Sequence, residues 1–381
     1  MKIIKIVFLC GSLEPGRDGV GDYTRMLSAN LIRQGHSASI IAIKDPYIND
    51  YKTNYQEVGD IKINVLRIST SFSNKKMQIY LNDGIKSINP DWISLQFVPY
   101  GFQMQGLPFY LINVLRKHTV KRKLHVMLHE TWLGKDEHPS IKGQIISFLQ
   151  KGIIYLILKI LNPRLIHTHL PLHKRRIKNL GFDVKELPLF SNIPFSTSFS
   201  PPTKSPMAIR VGFFSQVSHQ PQVLDFLLQL HNRLKAEESE LEILLIGGKK
   251  KKNKAFIDHI VKSVGIPYSI KTTGFLDERG ISLAIQSCNL AISPVPRHAL
   301  GKSGSIAAFL LHGIPIAAPI VNKGKDPLDI GFFSHDLRSS ILLEPNLKKL
   351  KNSELKTAKF NREISVENIT LTYLKDLELY N

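Results

Sequence analysis

The run Ile3–Cys10, IIKIVFLC, constrains this chain more than any other stretch. Its apolar residues do not alternate with polar ones, so it reads as a strand covered on both faces, as in a parallel sheet between helices. A Gly/Pro turn follows, SLEPGRDGVGD. The spacing then changes: Tyr23, Leu27, Leu31 and Ile32 fall on one helical face, and Gly35 ends the helix. Strand-like runs recur at SASIIAI, KINVLRI, WISLQFV, LHVMLHE, LIHTHL and VKELPLF, with a helical stretch over Met77–Ile88. Strands alternating with helices give an open, mostly parallel sheet.

The pattern breaks at Ser191–Pro206, SNIPFSTSFSPPTKSP, where Pro, Ser and Thr dominate. It then restarts: IRVGFFS, LEILLIGG, IKTTGFL, NLAISP and IPIAAP read as strands, with apolar-faced helices between them. The expected fold is α/β, with two tandem Rossmann-like, doubly wound domains facing a cleft. The first spans 1–195 and the second 196–365. An amphipathic helix, 366–381, closes the chain by packing back on the first domain. Ligands of such sheets bind at the carboxyl ends of strands, so the residues just after each strand are the ones to examine.

Charge bears on partners rather than on fold. Lys and Arg number 51 against 31 Asp and Glu, a net +20, which calls for a polyanionic partner: nucleic acid, an anionic membrane or phosphate-bearing substrates. Lys249–Lys254, KKKKNK, is the densest basic run, read as either a solvated loop or a contact for acidic groups. No aromatic-basic module or helix-turn-helix pattern supports nucleic acid. The two cysteines, Cys10 and Cys288, argue against a disulfide framework and for a reducing compartment. No secretory signal is seen, so a cytoplasmic location is expected. Gly152–Leu161, GIIYLILKIL, looks too short to cross a bilayer and carries Lys159. With Lys151, Arg164 and His173–Arg176 nearby, it reads as a buried helix or as a contact with the inner face of a membrane.

Gly301-Lys302-Ser303 imitates the end of a P-loop, but Pro296 stands where that loop needs its first glycine, so an NTPase is rejected. The physics of the turn survives. Ser303, Gly304 and Ser305 open a helix after a strand, which points unpaired N–H groups and a positive dipole end at a ligand, and Lys302 adds a full charge. A phosphate or diphosphate suits it; an ordinary Ser-capped helix is the alternative. Gly19 and Gly21 allow close backbone approach in the first turn. His129, with Glu130, ends a strand, where an imidazole can bond a polar ligand or move a proton. His167 and His169 have the spacing of a metal pair but no third ligand, so no metal is assigned. No G-x-S-x-G nucleophile motif occurs.

Taken together, GVGDYTRMLSANLIRQGHSASIIA, ISLQFVPYGFQMQGLP, LHET and LEILLIGG…TTGFLDERGISLAIQSCNLAISP…GSIAAFLLHGIPIAAP resemble GT-B glycosyltransferases over nearly the full chain, and within them the retaining glycosyltransferase family 4. The resemblance implies an enzyme that moves a sugar from a nucleoside-diphosphate sugar to a glycan or lipid-linked acceptor, without metal or other cofactor. It would give Gly19, Val20 and Gly21 the donor diphosphate or sugar, His129 the sugar near the reacting carbon, Ser303, Gly304 and Ser305 the diphosphate, and Gly274 the edge of the nucleoside. Two departures stand out. The family's paired glutamates fall here near Leu300 and on Ala308, and its Arg and Lys after the first strand of the second domain are replaced by FFSQVSHQPQ. Lys302, with Arg297, is expected to supply the missing charge. The competing readings are a catalytically degenerate GT-B scaffold, a nucleic-acid binder and a sugar-nucleotide epimerase of the same fold.

Overall fold

The structure, a computed structural model, describes residues 3–133, 140–197, 207–264, 269–321, 335–360 and 363–380. Most of the Pro/Ser linker, residues 198–206, lies outside them. The chain divides into two compact units, Met1–Leu187 with Ile369–Asn381, and Pro188–Asn368.

The first unit runs β1 (Lys5–Cys10), α1 (Gly19–Arg33), β2 (Ser37–Asp45), β3 (Lys52–Val58), β4 (Ile61–Ser69), α2 (Asn74–Ile88), β5 (Trp92–Phe97), α3 (Pro99–Phe102), α4 (Tyr110–Thr119), β6 (Lys123–Leu128), α5 (Ile141–Leu161), β7 (Leu165–Thr168), α6 (Pro171–Lys178) and β8 (Lys185–Glu186). Its sheet has the order β3-β4-β2-β1-β5-β6-β7-β8. Only β3 is antiparallel, paired with β4 at the edge. β3 has a polar, half-exposed sequence, KTNYQEV, which carries no apolar run for sequence reading to find. β1 is buried from Ile6 to Cys10, as its unbroken apolar run requires, and pairs in parallel with β2 on one side and β5 on the other. The strand order therefore reverses between β1 and β5, and the crevice at their carboxyl ends is where such a sheet takes its ligands.

α5 departs from the sequence reading. It begins at Ile141, capped by Ser140, and its 21 residues are long and apolar enough, by length and composition, to cross a membrane. The apolar stretch GIIYLILKIL is only its second half. That half supplies Ile153, Ile154, Ile157, Leu158 and Leu161 to the core of the first unit. The first half leaves Ile141, Ile145 and Phe148 exposed.

The second unit runs β9 (Ala208–Phe214), α7 (Pro221–Ala236), β10 (Glu240–Ile246), α8 (Lys250–Val264), β11 (Ser269–Gly274), α9 (Glu278–Gln286), β12 (Leu290–Ile292), a 3-10 turn (Arg297–Lys302), α10 (Gly304–Leu311), β13 (Ile316–Ala317), α11 (His335–Ser340) and α12 (Leu347–Phe360). Its sheet is wholly parallel, ordered β11-β10-β9-β12-β13, and reverses between β9 and β12. The basic run after β10 folds into the start of α8 rather than a loop. Gly212 in β9 is needed for packing: a Cβ there would lie 2.6 Å from Cys288 Sγ and 2.9 Å from the Phe309 ring of α10. The last helix, α13 (Val366–Glu378), counts with the first unit from Ile369 onward.

Candidate active site

In the first unit the crevice is a cavity of about 370 Å³. Gly11, Ser12, Arg17 and Asp18 line it from the turn after β1, Lys44 from β2, and Gln96 and Tyr100 from β5 and α3. The turn is fixed by buried charge. Asp45 Oδ2 accepts from the Leu13 N–H at 3.0 Å and from Arg67 Nε at 2.7 Å, and Arg67 Nη2 reaches Glu14 at 2.8 Å. Gly11 lets the Val98–Phe102 turn approach, since a Cβ on it would lie 2.0 Å from the Gly101 carbonyl oxygen.

The structure separates the three residues of the glycine turn. Gly21 faces protein: a Cβ on it would lie 2.6 Å from the Ser12 carbonyl oxygen, so its bareness serves the packing of α1. The Val20 N–H donates to Asp18 Oδ1 at 3.0 Å, so the amino end of α1 is capped by its own aspartate. Gly19 opens onto empty space. Burial pushes the Asp18 carboxyl up from its usual value, opposed by the N–H groups of Val20 and Gly21. Asp18 has no counterpart among the residues singled out from sequence, although its place just before a helix marks it as a cap.

His129 follows β6 and is 7% exposed. Both ring nitrogens are engaged within the unit: Nε2 lies 2.9 Å from Gln96 Oε1 and Nδ1 lies 3.0 Å from His169 Nε2. The sequence expectation has the ring contact a ligand; here both its nitrogens are bonded inside the first unit. Burial, and then the like charge of His169, hold the His129 imidazole well below its usual titration range. The chain of contacts continues. His169 Nδ1 lies 2.9 Å from the Leu187 carbonyl oxygen, Gln96 Nε2 donates to Ser94 Oγ at 2.8 Å, and Ser94 Oγ lies 2.8 Å from His125 Nδ1. His125 Nε2 is 3.1 Å from His167 Nδ1, and His167 Nε2 is 2.9 Å from Asp376 Oδ2 on α13. His167 and His169 are thus buried hydrogen-bonding residues, and among the described residues no group of three or more His, Cys, Asp and Glu could hold a metal ion. Arg176 of α6 donates to Thr131 Oγ1 and the Trp132 carbonyl, both at 2.9 Å, and so braces the segment after His129.

In the second unit the Arg297–Lys302 turn follows β12, at the point of strand reversal. Ser303 caps α10, accepting from the Ile306 N–H at 3.4 Å, and its hydroxyl lies 3.0 Å from that of Ser305. Among the described residues no protein acceptor takes the Gly304 or Ser305 N–H, and a Cβ on Gly304 would meet open space. Lys302 is exposed. Arg297 is otherwise occupied: its Nε donates to the Ala318 carbonyl at 2.6 Å and its Nη2 lies 3.4 Å from the Leu343 carbonyl oxygen. Those bonds tie the turn to the sheet end and direct the guanidinium inward, against the expectation that it stands ready for a diphosphate. Gly274 ends β11 in the left-handed region, φ +66°, a conformation that favours glycine, and is followed by Phe275, 98% exposed. Leu300 and Ala308, where the resemblance looks for glutamates, are 2% and 0% exposed and belong to the core of the unit. After β9 the backbone turns at Ser215, φ +63°, with no Lys or Arg in the segment Phe214–Gln222.

Two Rossmann-like units in tandem, each with its crevice at the carboxyl ends of parallel strands, make the GT-B fold. Solved structures carry the likeness over essentially the whole chain. Sucrose-phosphate synthase of Thermosynechococcus elongatus superposes with a TM-score of 0.61 at 11% identity, covering 99% of both chains. HepE of Anabaena, in complex with UDP and glucose, gives 0.60 at 14% identity, covering 98% of this chain and 99% of its own. A glycosyltransferase of Rickettsia africae gives 0.59 at 11% identity over 98% of each chain. By sequence the chain matches no family profile and no curated protein. The fold is therefore that of the GT-B glycosyltransferases, established by shape at sequence identities of 11–14%.

Proposed function

We propose that this chain is a glycosyltransferase that moves a sugar from a nucleoside-diphosphate sugar to a glycan or lipid-linked acceptor, with retention and without a metal ion. One observation carries the reading. At the strand reversal of the second unit, Lys302 and the Gly304 and Ser305 N–H groups stand at the amino end of α10, in a fold shared from end to end with glycosyltransferases. The leaving group of such a transfer is a nucleoside diphosphate. Backbone dipoles and a lysine offset its developing charge without a metal. The donor phosphates are assigned to Lys302, Ser303, Gly304 and Ser305, and the nucleoside edge to Gly274. Gly19 remains the open position of the first turn. The cavity after β1 and β5 is the acceptor's place, and the exposed face of α5 is the contact with an anionic membrane at which a cytoplasmic enzyme meets a lipid-linked acceptor.

Calorimetry with UDP, GDP, ADP and CMP, with and without magnesium, tests the reading on the wild type and on Lys302→Ala. The expected result is metal-independent binding of one nucleoside diphosphate, weakened roughly tenfold or more in the variant, as loss of one charge-assisted contact of about 1.5–3 kcal/mol implies. UDP is the first to try, because HepE holds it. Undiminished affinity in Lys302→Ala would remove the lysine from the site. Absence of binding to all four would favour the second reading, a GT-B scaffold without catalysis. That reading is supported by the burial of Leu300 and Ala308, which leaves no room for the paired glutamates.

A further inference from the structure

The buried chain of contacts through His129 has a proton count that can be worked out from its geometry. Seven contacts run from the Leu187 carbonyl through His169, His129, Gln96, Ser94, His125 and His167 to Asp376. Each needs one hydrogen between its two atoms. Both ends are acceptors, a carbonyl and a carboxylate. Each of the six residues between them, when neutral, supplies one hydrogen to its two contacts. Six hydrogens cannot fill seven contacts. The Tyr373 hydroxyl, hydrogen-bonded to Ser94 and 3.4 Å from His125 Nδ1, brings its own hydrogen, and Ser94 Oγ can accept it beside that of Gln96, so the balance is unchanged.

The position of the gap follows from the ends inward. Asp376 is held ionised by His167 and by Lys185 at 2.6 Å, so His167 Nε2 donates to it. His125 Nε2 then donates to His167 Nδ1, the Ser94 hydroxyl to His125 Nδ1, and the Gln96 amide to Ser94 Oγ. His129 Nε2 donates to Gln96 Oε1, which leaves its Nδ1 bare. From the other end, His169 Nδ1 donates to the Leu187 carbonyl, which leaves its Nε2 bare. With these tautomers the missing hydrogen falls between the two rings, 3.0 Å apart; turning either tautomer over moves the gap to the Leu187 or the Gln96 contact and leaves the same pair one hydrogen short.

We infer that His129 and His169 form a one-proton pair, an imidazolium and an imidazole sharing a single N–H···N hydrogen taken from solvent water. His169 is the positioning residue, and with the proton bound His129 acts on its surroundings by charge rather than by a hydrogen bond, both its nitrogens being used. A second proton has nowhere to go, because it would break the shared bond and place two charges side by side. Among the described residues, the titratable and charged groups around the pair are Tyr23 of α1, whose ring meets both imidazoles edge-on at 4.9 and 5.5 Å, His125 and His167 on the two strands, Glu130 next in sequence, and Arg176 behind Thr131. Uptake of one proton puts a positive charge at the carboxyl end of β6. If the proposed transfer holds, activity that uses this charge falls as pH rises through the pair's titration.

The proton itself can be observed without any sugar nucleotide, so this inference and the proposed function fail separately. Long-range ¹⁵N–¹H correlation spectra of the histidine-labelled full chain, from pH 8 down to the lowest pH at which it stays folded, should show His129 and His169 moving together through a single-proton step. In His169→Gln the amide offers its hydrogen to His129 Nδ1, the deficit disappears, and His129 should stay neutral throughout. The inference is overturned if the two rings stay neutral over the whole folded range, if each takes up its own proton, if the imidazolium is His125 or His167, or if His169→Gln leaves the His129 titration in place. Should that variant not fold, the wild-type titration decides alone.

Discussion

Gly11 shows what a single missing side chain does here. A Cβ at this position would overlap the Gly101 carbonyl oxygen at 2.0 Å, and neither partner is a flexible side-chain end. Gly11→Ala should therefore push apart the end of β1 and the Val98–Phe102 turn, costing about 1–3 kcal/mol as overpacking does. Urea unfolding would register this as a lower midpoint; an unchanged midpoint would mean that the backbone yields freely. A methyl at Gly19 or Gly304, which face open space, should leave the midpoint in place. The sequence marks Gly19, Gly21 and Gly304 as turn residues, but neither Gly11 nor which atom each one faces. Gly21 and Gly19 sit two residues apart in one turn, yet one packs on Ser12 and the other is open. His129 is similar. Its position after a strand is legible, while its partners Gln96 and His169 come from 33 and 40 residues away, through strand register that no local pattern encodes.

At the scale of elements, the strands buried on both faces were the legible ones, because a continuous apolar run is itself the signal. β3 lacked that signal, and α5 was seen only in the half that enters the core. Its first half tells more about function. Ile141, Ile145 and Phe148, 78%, 55% and 75% exposed, recur at helical spacing on one face. Lys142, Lys151 and Lys159 accompany them, and the helix holds no Asp or Glu. An apolar stripe flanked by cations fits an anionic lipid surface, where the side chains enter the interface and the lysines meet headgroups. Replacing Ile145 and Phe148 together with Ser should cut cosedimentation with vesicles containing phosphatidylglycerol several-fold. The melting temperature should hardly move, since both side chains already stand in water. Unchanged sedimentation, or a fall in melting temperature that accounts for it, would end this account of α5.

At the scale of the whole molecule, the single restart of the strand–helix pattern suggests two units, and the closing helix groups with the first of them from Ile369 onward. Ile369, Tyr373, Leu374 and Leu377 on α13 are each no more than 2% exposed, and Asp376 holds both His167 and Lys185. Burying four such side chains contributes about 1.5–3 kcal/mol each, a sum comparable with the ~5–15 kcal/mol that holds a domain folded. A chain ending at Asn368 should therefore lose the first unit. The second keeps a core built on β9–β13 and α10, to which Ile369–Asn381 contribute no residue of the two main clusters. Hydrogen exchange read by mass spectrometry separates the cases: in the truncated chain protection should vanish across β1, β5, β6 and β7 and persist across β9, β10 and β12. Persistence in both sets would mean that the helix is an accessory to the first unit. Loss in both would mean that the second unit depends on the first, and that the two fold as one cooperative body rather than as the separate repeats their sequences suggest.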